Sequence, residues 1–94
     1  MPEAALKDYL QPFPGIRSFI FAPPPEGESR TWIFRAIEDP QLVLEFHFTT
    51  LLTQGWNVVE NASTLVAKRG TSDLSVSALR RQDETRIVYE VHDR

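Results

Sequence analysis

The residues of this 94-residue chain with the right types for chemistry are two histidines, three acidic pairs and a scatter of serines. His47 stands between Phe46 and Phe48. A histidine that ligates a metal or moves a proton needs a partner to orient its ring or share the ligand. On a helix that partner stands four residues away, and here those positions are Val43 and Leu51, so no HxxxH or ExxxH pair exists. His47 is therefore read as a packed side chain, buried and neutral near pH 7, because burial disfavours the charged ring. His92 stands two residues from the end of the sequence and is expected to fray. The acidic pairs are Glu38-Asp39, Asp83-Glu84 and the split Glu26-x-Glu28. The first is explained by helix capping and the helix dipole, the second by a turn, and the third by a glycine-containing loop. None suggests two carboxylates held in a pocket with their pKa values pushed apart. Ser29, Ser63, Ser72, Ser75 and Ser77 lack a GxSxG elbow, and the isolated glycines form no phosphate cradle. No catalytic residue, metal ligand or cofactor-binding residue is assigned, and the chain is expected to be no enzyme and to carry no cofactor.

Charge and composition narrow the partners. The net charge is −3, with ten basic residues dispersed among thirteen acidic ones. Nucleic-acid binding needs clustered Lys and Arg to displace counterions from phosphates, and the only tight basic pairs are Lys68-Arg69 and Arg80-Arg81. No nucleic acid is expected. There is no cysteine, which excludes disulfides and thiolate metal sites. No run approaches the ~18 apolar residues of a membrane helix, so no membrane span is expected. The first ten residues carry Glu3, Lys7 and Asp8 and do not read as a signal peptide. Read as it stands the chain is expected in the cytoplasm; an exported protein that had lost its leader would read the same way.

These residues need elements to hold them, and the pattern predicts a single α+β domain, residues 1–94. Residues 1–12 form an N-terminal segment in which Leu6, Tyr9 and Leu10 share one face of a short helical turn, stopped by Pro12 and Pro14. Residues 13–94 form the core. Residues 16–22, IRSFIFA, and 30–38, RTWIFRAIE, read as strands joined through the proline-rich stretch at 23–27. Phe19 and Phe21 compete with Ile16, Ser18 and Ile20 for the inner face of the first strand. Asp39-Pro40 marks a helix start, a cap followed by a residue whose φ is already set. Gly55 marks its end, and is expected at positive φ. Strands follow at 64–69, 74–80 and 85–92, linked by short turns. Leu74, Val76 and Ala78 alternate with serines, and Ile87, Tyr89 and Val91 alternate with polar residues. The expected order is ββαβββ, one helix packed on a five-stranded, mainly antiparallel sheet.

Within this frame, Val43-Leu44-Glu45-Phe46-His47, Leu51 and Gly55-Trp56 resemble the VLxFYxxxLxxxGW pattern of a family of small bacterial domains of unknown function. Many of these are exported or lipid-anchored. Phe13-Pro14-Gly15-Ile16 is similar to the YPGA-like turn that opens such domains. The resemblance covers roughly residues 13 to 91. It implies one helix on an antiparallel sheet, with Val43, Phe46, His47 and Leu51 toward the sheet, and it implies no activity. The chain departs from the pattern at His47, where Tyr is usual, and at Phe48 and Leu52, where polar residues are usual; it also lacks the anchor cysteine.

That departure bears on function. At ~100° per residue, Leu42, Val43, Leu44, Phe46, His47, Phe48, Leu51 and Leu52 spread over an arc of ~280° of the helix. A helix lying on one core needs a stripe of only ~100°. The surplus, Phe48 and Leu52 with Leu44 beside them, is the candidate partner-binding surface. Either the N-terminal segment covers it with Leu6, Tyr9 and Leu10, or a second chain does, as a homodimer or a complex with another protein. The leading expectation is a non-catalytic protein-interaction or self-associating domain. One alternative is a small module binding an apolar ligand in an aromatic pocket between helix and sheet, lined by Trp32, Phe34, Phe46 and Trp56. Another is a subunit of a larger enzyme assembly.

Overall fold

A computed structural model describes residues 6–21 and 29–93. A 3-10 turn at Leu6–Asp8 is followed by strands β1 (Ser18–Phe21) and β2 (Ser29–Ala36), and by helix α1 (Pro40–Thr53). Four more strands complete it: β3 (Asn57–Asn61), β4 (Thr64–Arg69), β5 (Ser72–Arg81) and β6 (Glu84–Asp93). The fold is α+β, one helix on an antiparallel sheet, as the sequence pattern predicts. Among the described residues the sheet has six strands in the order β1-β2-β6-β5-β4-β3, one more than the five expected. The addition is β3, which falls between Gly55 and the first strand expected after it, at 64–69. It pairs antiparallel with β4 from Asn57 opposite Lys68 to Asn61 opposite Thr64. The side chains of Phe19 and Phe21, and the loop at 23–27, lie outside the described residues.

Helix α1 begins and ends where its sequence signals stand. Asp39 Oδ1 accepts the Gln41 N–H at 2.9 Å, satisfying a donor left free by the first turn, and Pro40 follows at the first helical position. At the other end the Trp56 N–H donates to Leu51 O at 3.0 Å and the Gly55 N–H to Leu52 O at 3.1 Å. This pair of bonds is a Schellman cap, and it requires the left-handed backbone that Gly55 adopts at φ 87°.

The alternation of β2, β4, β5 and β6 sorts the sheet into two faces. Trp32, Phe34, Leu65, Ala67, Leu74, Val76, Ala78, Ile87, Tyr89 and Val91 face inward and are buried. Two elements cover them side by side. Helix α1 lies over β5, β4 and β3. The N-terminal segment lies beside it, with Leu6 and Leu10 buried and Phe13 nearly so. The Tyr9 hydroxyl accepts from Arg30 of β2, and the Trp56 indole N–H donates to Tyr9 O at 3.2 Å. Gly15 is needed in this segment for space: a Cβ there would strike the Phe13 ring and the Glu38 carboxylate.

Candidate functional site

The side chain with the most chemical character, His47, is fully buried under α1. Its Nε2 lies 2.7 Å from the Tyr89 hydroxyl, which also accepts the Phe13 backbone N–H at 3.1 Å. A hydroxyl already accepting from an amide has its own hydrogen to give. Tyr89 therefore donates to Nε2, and the imidazole carries its proton on Nδ1, which has no hydrogen-bond partner among the described residues. Burial pulls the His47 pKa down to about 4. Burial likewise pushes the Tyr89 phenol well above its ordinary range, against a smaller opposing effect of the Phe13 amide. The rings of Phe13, Phe46 and Tyr89 surround the imidazole, with Phe46 at 5.1 Å and Tyr89 at 5.2 Å between centroids. This is the buried, neutral histidine the sequence suggests. It ties the N-terminal segment, the helix and β6 together, and none of its surface is exposed.

The aromatic candidates for a ligand pocket are dispersed through the core. Trp32, Phe34 and Trp56 are buried, with Phe34 edge-on to Tyr89 at 5.7 Å, and Phe46 is half-buried, edge-on to Phe13 at 5.5 Å. Among the described residues, the surface cavities beside β5 and β6, Phe13, α1 and Arg80 are lined by other side chains. No group of three His, Asp or Glu among the described residues could hold a metal ion, and no helix among them is long and apolar enough to cross a membrane.

The partner-binding candidates separate in an informative way. Leu44 is buried, so it belongs to the core and not to a free surface. Phe48 is 36% and Leu52 49% exposed. The described part of the N-terminal segment, from Leu6 onward, does not cover them: Leu6 and Leu10 are buried on the other flank of α1, where Phe13 meets Phe46. The sequence could not decide this, because both positions offer apolar partners to the same three side chains.

On their own flank, Leu44, Glu45 and Phe48 overlook β3 across an open cleft of about 250 Å³ with Glu60 on its far side. Below that cleft β3 forms one edge of the sheet. On the outer sheet face, opposite the helix, Val59 of β3 is exposed beside its cross-strand neighbour Val66 of β4. Sequence reasoning missed β3 and with it Val59, although the apolar pair Val58-Val59 between two asparagines was a signal. No protein-family model, no curated protein and no solved structure matches the chain.

Proposed function

We propose that this chain is a non-catalytic interaction module that docks a protein partner, or a second copy of itself, on the outer face of α1. The observation that carries the reading is the pair Phe48 and Leu52, one helical turn apart, exposed on a helix that covers the core with Val43, Leu44, His47 and Leu51. Neither side chain contributes to the chain's own buried core, and exposed apolar side chains grouped in this way mark contact surfaces more often than scattered ones do. The burial of the His47–Tyr89 pair favours a binding role over a catalytic one, since neither side chain has surface open to a substrate.

The test is a Phe48→Asp, Leu52→Lys double variant studied by light scattering and circular dichroism. The wild-type chain is expected to run above the 10.8 kDa mass of one copy. The variant is expected to fall to that mass with its helix content and melting midpoint unchanged. A variant that retains the wild-type mass, or that loses its fold, removes α1 as the docking face. A wild-type chain that stays at single-copy mass at every concentration rules out the self-associating form of the reading.

A further inference from the structure

The geometry points to a two-fold homodimer joined strand to strand through β3. This names the partner in the interaction reading as a second copy of the chain, and rests on the self-association in that reading and not on α1 as the docking face. Among the described residues β1 and β3 have a neighbour on one side only. Sheet edges are normally blunted by lysine, proline or a bulge. The β1 edge carries such an irregularity, a register shift between Phe19 and Phe21. The β3 edge carries no lysine, proline or bulge, and its one charge, Glu60, lies on the helix side, lining the cleft with Leu44 and Phe48. Its sequence, Asn57-Val58-Val59-Glu60-Asn61, has no proline, no lysine and one charge, and its register is regular throughout.

The register of the dimer follows from the hairpin. Ala62 and Ser63 form a two-residue turn, which makes Asn61 and Thr64 the hydrogen-bonded closing pair. Alternation then points the N–H and C=O of Val58 and Glu60 toward the free edge. A two-fold axis through Val59 pairs Val58 with Glu60 of the second copy, and the reverse, for about four hydrogen bonds. It sets Val59 against itself and Asn57 against Asn61. Centring on Glu60 would place like charges directly opposite, which is destabilising, and centring on Val58 would shorten the overlap. The strand is thus self-complementary in one register. Val59, 65% exposed in the single chain, is covered on the axis. The helices fall on the same side of the joined sheet, antiparallel, with the Phe48 flanks facing each other above the new strand pair. The two Glu60 side chains become diagonal neighbours, so Glu60→Gln is expected to tighten the dimer.

The chain has no cysteine, so a single introduced thiol reports cleanly. A residue on the axis of a non-hydrogen-bonded pair meets its own copy at about 4.5 Å between Cα atoms, within disulfide reach. Val59→Cys is expected to convert to a covalent dimer under mild oxidation, while Val66→Cys, one strand further in, does not. Val59→Lys is expected to weaken the dimer on the order of tenfold or more by opposing like charges. Glu60→Pro should abolish it by removing an edge donor that the sheet itself does not use, and Val59→Lys serves if the proline variant fails to fold. The proposal is overturned by a wild-type monomer at high concentration. It is also overturned by a dimer that ignores Val59→Lys and crosslinks no faster through Val59→Cys than through Val66→Cys. A dimer lost in Phe48→Asp yet indifferent to the β3 variants removes the strand pairing and leaves the helix-face reading standing. A dimer lost in the β3 variants but not in Phe48→Asp supports the pairing and removes α1 as its docking face.

Discussion

His47 sets a pH limit on the fold. Its pKa is about 4 in the folded chain and about 6.5 when exposed, as in the unfolded chain. Between those values the unfolded state binds a proton that the folded state does not, so stability rises with pH across this window and is flat above it. Acidification from pH 7 to pH 4 should cost about 3 kcal/mol through this residue alone. Urea titrations at a series of pH values check it: His47→Phe should flatten the slope between pH 6.5 and pH 4, and an unchanged slope would assign it to other groups. Tyr89→Phe removes the hydroxyl shared by His47 and Phe13 and leaves both buried groups unpaired; it should cost about 1–3 kcal/mol by the same urea measurement. The burial of His47 was legible because its neighbours at four residues are apolar. Its partner was not, since Tyr89 stands forty-two residues away and only the sheet brings it under the helix.

At the scale of elements, the two ends of α1 were readable because caps are local: Asp39-Pro40 and Gly55 act on backbone groups within a turn of themselves. A Cβ at Gly55 would meet nothing within 4 Å, so the cost of Gly55→Ala lies in the left-handed backbone and not in a clash. The melting midpoint should drop by the equivalent of about 1 kcal/mol. Strand β3 was hidden for the converse reason. It is short, bounded by asparagines, and enters β4 through a turn in which Ala62 holds φ 54°, a conformation usually signalled by Gly or Asn. The turn therefore lacked its usual mark. Ala62→Gly should relieve that strain and stabilise the chain by about 0.5–1 kcal/mol in urea unfolding, and a loss of stability would mean that the alanine is not strained there.

For the whole molecule, the class and the inward sets of β5 and β6 followed from period-two alternation, which one sheet face imposes on any half-buried strand. The division of labour above the sheet did not follow. Helix and N-terminal segment both present apolar faces, and only their lateral order decides that Leu6 and Leu10 are buried while Phe48 and Leu52 are not. Deleting residues 1–12 should therefore uncover Trp32, Tyr89 and Trp56 and leave a chain that binds a hydrophobic dye and melts without a sharp transition. A truncated chain with a wild-type melting curve would show that the segment is dispensable.

The strand order also carries a consequence for how the chain is made. Strand β6 lies between β2 and β5, yet it comes after both in the sequence. During synthesis the hairpin of β1 and β2 and the ladder of β3, β4 and β5 can each form early, but nothing in the sheet joins them until Glu84–Asp93 has left the ribosome. The two halves must wait with open edges, then close on one late strand. Nascent chains arrested before Glu84 should remain sensitive to protease, and chains extended past Asp93 should acquire resistance in one step.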